Sequence, residues 1–175
     1  MLTDTTVPQI QEIRTRSGKM IAVRPVTSED EALLAEFFDR VSDEDRRFRF
    51  LSAHNHLTHE QLAPMVEVDH FRTESFIAFD EQGGAVVGHA LLACDNALDT
   101  GEVAIAVCRD WRGMGVGWAL LDVLADAARH RGLRRVISLE DRDNHAAIEL
   151  EREKGFTPHG VEGDPHCVML EKLLR

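Results

Sequence analysis

A run of alternating glycines has the clearest chemical meaning in this chain. Residues 112–117 read Arg-Gly-Met-Gly-Val-Gly and follow the apolar stretch 103–108. Glycines let backbone amides come close to a ligand, and a helix that begins there presents unpaired N–H groups and a positive dipole end. Arg112 adds a positive charge. The pattern therefore predicts a pyrophosphate site, against the simpler alternative of a glycine-rich loop without a ligand.

Two other phosphate-binding motifs fit this segment less well. A Walker A loop requires Gly-Lys-Ser/Thr, which does not follow here. A dinucleotide site is closer, since the acidic residue Glu140 follows the next predicted strand at about the expected distance. However, the third glycine of the fingerprint is missing, and the N-terminal half is not a βαβ series. A Rossmann-type dehydrogenase is therefore the distant alternative.

Two further polar clusters are interpreted as surface features. The histidines at 54, 56, 59 and 70 match no standard zinc spacing and have no cysteine nearby, so we expect a solvated loop and no metal. Arg46, Arg47 and Arg49 follow three acidic residues, and we expect a helix face in which these charges pair. Binding of an acidic partner or of the phosphates of a cofactor by the arginines is the alternative.

The pattern of apolar residues predicts the elements that position the glycine segment. Apolar spacing and caps predict helices over 29–41, 42–51, 58–66, 115–131 and 144–155, with Ser28 and Glu31 as a capping box and Gly132 as the C′ glycine. Alternation and turn signals predict an N-terminal hairpin and strands over 20–24, 75–80, 85–94, 101–108, 135–139, 156–161 and 167–173. The fold class is α+β, or mixed α/β, around one mostly antiparallel sheet flanked by helices.

Composition narrows the functional classes. The 175 residues suit one domain, and the formal net charge of −11 argues against binding to the nucleic-acid backbone. No apolar run is long enough to span a membrane, and the N-terminus has no signal-peptide pattern. Three widely spaced cysteines suit reduced thiols, so we expect a cytoplasmic protein, with homodimerisation left open.

The glycine segment resembles the Arg/Gln-x-x-Gly-x-Gly/Ala signature of the GNAT superfamily of acetyl-CoA-dependent N-acyltransferases. Residues 144–156, from Asn144 to Gly155-Phe156, look like the later helix of that family, and the resemblance covers at least residues 75–172. Residues 13–19, 23–25, 37–42 and 47–50 are similar to the GNAT domains of bacterial protein-lysine acetyltransferases. The resemblance implies one domain over 1–175, with an N-terminal hairpin and acceptor-side helices in 1–70 and an acetyl-CoA-binding core in 75–172.

The resemblance also implies site residues and a mechanism. An amine, with a protein lysine as the leading acceptor, would attack acetyl-CoA directly in a ternary complex. Glu102 is the expected general base, made more basic by partial burial, with His89 as the alternative. The residues expected to bind acetyl-CoA are Ile105, Ala106, Val107, Arg112, Gly113, Met114, Gly115, Val116, Gly117 and Asn144. Asn144 has an equally good interpretation as a helix N-cap.

One position departs from the family pattern. Many members carry a tyrosine after the leucine of the later helix, as the acid for the CoA thiolate, but this chain has no tyrosine and carries Glu151 there. We expect Glu151 to be an exposed helix carboxylate, with a role as the acid as the alternative. Trp111 and Trp118 are expected in the core. A small-molecule amine acetyltransferase and a non-catalytic acyl-CoA-sensing module remain the alternative functions.

Overall fold

One eight-stranded sheet organises the molecule in this computed structural model, which describes residues 9–50, 56–81 and 84–174. The spatial order of the strands is β1-β2-β3-β4-β5-β6-β8-β7, and every neighbouring pair is antiparallel except β5 and β6. The strands are β1 (Gln11–Arg14), β2 (Met20–Pro25), β3 (Thr73–Asp80), β4 (Val86–Cys94), β5 (Thr100–Val107), β6 (Arg135–Asp141), β7 (Thr157–Val161) and β8 (Asp164–Leu173). The α+β class and the mostly antiparallel sheet are confirmed.

Five α-helices flank the sheet in the described ranges. They are α1 (Glu31–Asp39), α2 (Asp43–Phe50), α3 (His59–Val66), α4 (Val116–His130) and α5 (His145–Glu153). A 3₁₀ turn over Ser28–Asp30 precedes α1, and its capping box joins Thr27 to Asp30. The predicted box of Ser28 and Glu31 is therefore one residue out of register. Asp30 is the better partner because it also pairs with Arg24, at 2.7 and 2.9 Å.

The predicted N-terminal hairpin is present, and the turn between the predicted strands 75–80 and 85–94 forms a second hairpin. The β1–β2 turn closes with a hydrogen bond from Thr15 N to Lys19 O, and Gly18 adopts a φ of 90°. The β3–β4 hairpin closes between Asp80 N and Ala85 O at 3.1 Å, and its residues 82 and 83 lie outside the described ranges. The sheet is thus antiparallel up to β5.

The strands β5 and β6 separate soon after they pair. Their parallel register runs from Thr100 opposite Arg135 to Glu102 opposite Ile137 and then ends. Beyond Glu102, β5 keeps β4 on one side, while β6 continues to pair with β8. The result is an open cleft between the free edge of β5 and the second half of β6.

The long helix α4 fixes one end of this cleft. It packs so closely on β4 that a Cβ at Gly88 would lie 2.8 Å from Leu120 Cδ1. At its C-terminus Gly132 N bonds Arg129 O and Leu133 N bonds Ala128 O, which is a Schellman motif. The predicted C′ role of Gly132 is therefore confirmed, and α4 is held at both ends.

Candidate functional site

The cleft between β5 and β6 collects almost all of the predicted site residues. It encloses about 350 Å³ and reaches from the start of α4 to Glu102 and α5. Every residue predicted to bind acetyl-CoA lines it except Met114, whose carbonyl accepts a hydrogen bond from Ser17 Oγ at 2.5 Å. The predicted members of its wall are Glu102, Ile105, Ala106, Val107, Arg112, Gly113, Gly115, Val116, Gly117 and Asn144.

The first turn of α4 opens into this cleft. Gly113 and Gly115 have φ values of 74° and 86°, a region that glycine adopts without steric cost. The first hydrogen bond of the helix runs from Ala119 N to Gly115 O. The amides of residues 115–118 therefore have no partner within the helix and can donate to an anion.

Arg112 lies at the mouth of the same turn. Its side chain is half exposed, and its Nε lies 3.3 Å from Asp45 Oδ2 of α2. The ion pair connects the glycine turn with the helix that covers β5. Arg112 can therefore meet an incoming phosphate only in competition with Asp45.

The free edge of β5 offers backbone groups to a ligand. Cys108 N donates to Val87 O, so Cys108 directs its amide towards β4. Because the direction alternates along an antiparallel strand, the amides and carbonyls of Ile105 and Val107 point away from β4. Since β6 has already diverged there, these groups face the cleft.

Glu102 is the last residue of β5 that pairs with β6, and its side chain enters the cleft. The residue is exposed, so the partial burial expected for it is not found. β5 reaches the molecular surface at this point because its parallel pairing ends there. Its role as the general base remains a prediction.

Glu151 is buried, so the expectation of an exposed helix carboxylate is wrong. Only 6% of the residue is exposed, and it faces Glu140 of β6. Burial, together with the charge and hydrogen bond of Glu140, raises the pKa of Glu151 to about 9, although Ser138 opposes the shift. Its Oε2 atom has no hydrogen-bond partner among the described residues.

Glu140 is held by donors on both sides. Ser138 Oγ donates to its Oε1 at 2.9 Å and Asn144 Nδ2 donates to its Oε2 at 3.2 Å. Asn144 also caps α5, because its Oδ1 accepts from Ala147 N at 3.4 Å. The N-cap interpretation of Asn144 is confirmed. Glu140 lies in β6, one residue before the strand ends, and not after the strand as predicted. It holds the cap residue Asn144 and faces the carboxyl of Glu151.

Sequence reasoning missed the place of Arg49. The predicted charge pairing holds for Arg46, whose Nη2 lies 2.6 Å from Asp43. Arg49 instead lines the cleft, and its Nε is buried with no hydrogen-bond partner in the part of the chain described. Burial lowers the pKa of Arg49, and the charges of Glu102 and Glu140 oppose that shift. Residues four positions apart lie on the same face of a helix. Asp45 also lines the cleft, so its spacing from Arg49 is the signal that could have indicated the position of Arg49.

The two tryptophans are half-buried and line the cleft. Trp111 also packs against the hydrophobic core, as expected, whereas the expected core position of Trp118 needs correction. The Trp118 ring has Arg16 Cζ at 4.0 Å and Lys154 Nζ at 3.9 Å from its centroid. Arg16 comes from the β1–β2 turn, which packs on the glycine turn. This end of the cleft therefore combines an aromatic ring with cationic groups.

The histidines considered as a base or as metal ligands contact other side chains. His89 is fully buried, its Nε2 lies 2.7 Å from Ser75 Oγ, and burial followed by the charge of Arg49 lowers its pKa to about 3. His89 does not line the cleft, so the geometry does not favour it as the base. His56, His59 and His70 contact Asp39, Glu31 and Glu74 in turn, while His54 lies outside the described residues. In the described ranges no three His, Cys, Asp or Glu side chains could together hold a metal ion.

Comparisons with curated proteins agree with this geometry. The chain is 28% identical over 141 residues to acetyltransferase PA5475 of Pseudomonas aeruginosa, covering 79% of this chain and 76% of that protein. It is 27% identical over 167 residues to a mycothiol acetyltransferase of Rothia mucilaginosa, covering 93% of this chain. It spans 45% of the length of that second relative.

Solved structures share the fold. The GNAT domain of S. lividans PAT superposes with a TM-score of 0.86 at 27% identity, covering 94% of this chain and 96% of that domain. The Salmonella typhimurium protein yncA, solved with its cofactor acetyl-CoA, superposes with a TM-score of 0.70 at 21% identity. That match covers 89% of this chain and 94% of yncA.

Over the described residues, no helix has the length and apolar character needed to cross a membrane.

A family model connects the sequence with this fold. The model of the acetyltransferase (GNAT) family matches residues 31–156, which is 126 of the 175 residues. The match includes α1 to α3 as well as the cleft, and so begins well before residue 75. The chain therefore belongs to the acetyltransferase (GNAT) family, the acetyl-CoA-dependent N-acyltransferases.

Proposed function

We propose that this protein transfers the acetyl group of acetyl-CoA to a primary amine, with a protein lysine as the acceptor, by direct attack in a ternary complex. The observation that carries the proposal is the alignment of three features along one cleft. These are the open first turn of α4, the free edge of β5 and the carboxylate of Glu102. They supply an anion site, a backbone edge and a base in that order.

The pyrophosphate of acetyl-CoA binds at the start of α4. The amides of Gly113, Gly115, Val116 and Gly117 and the guanidinium of Arg112 are the donors, and the helix dipole favours the negative charge. Met114 is left out of this set, because it does not line the cleft and its amide donates to Trp111 O at 3.3 Å. The ring of Trp118 with Arg16 suits the nucleotide end of the molecule.

The pantetheine arm lies along β5. Ile105 and Val107 offer amides and carbonyls to its two amide groups, Ala106 packs between them, and Asn144 faces them from α5. From Val107 back to Glu102 the strand covers roughly 16 Å. An extended arm that starts at the glycine turn can thus run along the strand towards Glu102, and a free-edge amide of β5 beside the thioester can polarise its carbonyl.

Glu102 removes the proton of the attacking amine, directly or through one water molecule. A lysine ammonium, with a pKa of about 10.4, is not a nucleophile until it loses a proton. The carboxylate of Glu102 is exposed, so an incoming acceptor can reach it. The elements of residues 1–70 form the acceptor side in this proposal.

Charge favours a cationic macromolecule as the acceptor. The chain carries 31 acidic and 20 basic residues, and the exposed carboxylate of Glu102 stands in the cleft itself. Such a field attracts a lysine-bearing segment and speeds its encounter. A small amine is the second candidate, because one relative is named as a mycothiol acetyltransferase.

The test measures thiol release from acetyl-CoA with lysine peptides, polyamines and amino sugars as acceptors. Glu102→Gln should lower kcat at least a hundredfold, the usual size of a general-base effect, with CoA affinity within about twofold of the wild type. Glu12→Gln, an exposed strand glutamate of β1, is the matched control and should match the wild type.

Each other outcome decides between the alternatives. Preference for polyamines or amino sugars over every peptide would replace the protein lysine by a small amine. Binding of CoA with no turnover on any acceptor would favour the sensing module. Full activity in Glu102→Gln would show that Glu102 is not the base.

A further inference from the structure

We propose that Glu151 is the proton donor to the departing CoA thiolate, and that Glu140 holds its carboxyl in place for that step. The inference rests on the proposed acetyl transfer and adds a second catalytic residue to it. It places the base on one wall of the cleft and the acid on the other. The argument depends on burial, hydrogen bonding and strand register.

Burial gives the first step of the argument. Glu151 lines the cleft yet is only 6% exposed, and its Oε2 has no partner among the residues described. An ionised carboxylate in that position would be poorly solvated and costly. A neutral carboxyl is the stable form, and Glu151 is one of the residues that line the cleft, where a ligand can meet it.

The hydrogen bonds show which carboxyl holds the proton. Glu140 accepts from Ser138 on one oxygen and from Asn144 on the other. Glu151 also forms a side-chain hydrogen bond with Glu140, and two carboxyl groups can do so only when one of them is protonated. Since Glu140 already serves as an acceptor on both oxygens, the shared proton belongs to Glu151. The raised pKa of Glu151 agrees with this assignment.

The strand register puts Glu151 on the wall of the cleft that lies across from β5. The parallel register ends where Glu102 pairs with Ile137, and Glu140 lies three residues further along β6, in the part of the strand that forms that other wall. Ile105 and Val107 are the residues whose backbone groups face the cleft. A thioester held there lies between Glu102 on β5 and Glu151 on α5. Two carboxyl groups with different surroundings thus take opposite roles.

Other charged groups face this part of the cleft. Glu140 of β6 acts most directly on Glu151, and Ser138 of the same strand is the nearby hydroxyl. Arg49 of α2 interacts with both Glu140 and Glu102. The remaining charged residues of the wall are Arg16, Asp45 and Arg112. Arg49 can offset the second negative charge that appears when Glu151 gives up its proton.

The transfer step balances in atoms and electrons. The ammonium of the acceptor first passes one proton through Glu102 to water and becomes a neutral amine. The amine nitrogen then forms a bond to the thioester carbon, and a second N–H proton passes to Glu102. The C–S bond breaks with its electron pair on sulfur, and sulfur takes the proton of Glu151. The products are the acetamide and the CoA thiol. The enzyme is reset when Glu102 releases a proton to water and Glu151 takes one up.

The size of the effect follows from the leaving group. A thiol with a pKa of about 8.5 leaves moderately well without assistance. An acid of similar pKa transfers its proton efficiently near neutral pH, but the gain is smaller than for an alkoxide. We therefore expect the loss of the donor to lower kcat by about ten- to a hundredfold.

The experiment compares the pH profile of kcat in the wild type, Glu151→Gln and Glu149→Gln from pH 6 to 10, with saturating acceptor. Glu149 is an exposed residue of the same helix and should match the wild type. The wild type should lose activity as the pH passes about 9, where Glu151 gives up its proton. Glu151→Gln should lower kcat, leave KM for acetyl-CoA within about twofold, and show no such alkaline loss.

A second variant keeps the test decisive if Glu151→Gln folds poorly. Glu151→Tyr retains a proton donor, with an ordinary pKa of about 10, so the alkaline loss should move to higher pH. An unchanged alkaline profile in either variant would overturn the role of Glu151 and leave a structural one. That outcome, with Glu102→Gln still inactive, leaves the proposed acetyl transfer intact. A wild type without turnover would instead overturn the transfer itself.

Discussion

Arg112 joins the glycine turn to α2 and is also a proposed ligand of the pyrophosphate. Without a ligand its guanidinium pairs with Asp45 at 3.3 Å, although the arginine is half exposed. Exposed pairs of this kind contribute little to stability. A bound pyrophosphate offers a stronger and more highly charged acceptor, so we expect the arginine to change partners when acetyl-CoA binds.

This exchange predicts opposite effects for the two partners. Arg112→Ala should weaken acetyl-CoA binding by about five- to tenfold, because one charge-assisted hydrogen bond to phosphate is lost. Asp45→Asn should leave binding unchanged or tighten it, because it removes the competitor. Titration calorimetry measures both affinities.

Arg109→Ala is the control for Arg112→Ala, since Arg109 is an exposed arginine of the preceding turn that does not line the cleft. An equal loss in Arg109→Ala and Arg112→Ala would point to a general charge effect. A marked loss in Asp45→Asn would contradict the exchange of partners.

Single residues were predicted from sequence only where the reason is local. The left-handed glycines and the cap at Asn144 depend on neighbours a few positions away, and both were predictable. The burial of Glu151 depends on its packing against β6, and the burial of Arg49 depends on β5. Both contacts arise from the tertiary fold, so the local sequence did not indicate them. The acidic residues that precede Arg49 suggested ion pairs on an exposed helix face, but Arg49 lines the cleft instead.

At the scale of elements, the β1–β2 turn and the start of α4 form one unit. Ser17 Oγ donates to Met114 O, and a Cβ on Gly115 would lie 3.1 Å from Arg16 Cγ and 3.3 Å from Thr15 Cβ. The turn thus closes over the glycine that begins the helix. No local sequence signal joins positions 15–17 to 115, so this contact could not be predicted.

The contact predicts a contrast between two glycines of the same segment. Gly115→Ala should lower the free energy of unfolding by about 1–3 kcal/mol, because alanine at a φ of 86° is strained and its Cβ crowds the turn. Gly117→Ala should leave stability unchanged or raise it by up to about 1 kcal/mol, since alanine favours the helix and its Cβ would meet Leu150 at an ordinary 3.5 Å.

Urea unfolding of the two glycine variants without ligand gives both values. The two substitutions add the same methyl group, so each serves as the control for the other. Similar destabilisation in both would show that crowding of α4, and not the conformation of Gly115, limits stability.

At the scale of the whole molecule, the decisive feature is where the sheet opens. Apolar alternation predicted the strands, and the mostly antiparallel arrangement followed from the turn signals. The end of the parallel pairing after Glu102 and Ile137 carries no signal in either strand, because it depends on how β6 turns to follow β8. The cleft was therefore expected from family resemblance, while its acidic wall emerged only from the fold.

The buried carboxyl in that wall should also change how the stability of the molecule depends on pH. The pKa of Glu151 is about 9 in the folded protein, against an ordinary value of 4.5. Between these values the unfolded chain is ionised at this residue while the folded chain keeps its proton, so folding takes up a proton. The stabilising contribution is complete below pH 4.5 and is lost as the pH rises towards 9, by at most about 1.4 kcal/mol per pH unit.

Chemical denaturation of the wild type and Glu151→Gln at pH 5, 6.5 and 8 measures this contribution. The free energy of unfolding of the wild type should fall relative to the variant as the pH rises, because glutamine cannot ionise. Other titrating groups are common to both proteins and cancel in the difference. Glu149→Gln should instead run parallel to the wild type, since that residue is exposed in the native fold. A wild type that also runs parallel to Glu151→Gln would mean that Glu151 is ionised in the folded protein, and the proposed acid would then have no proton to give.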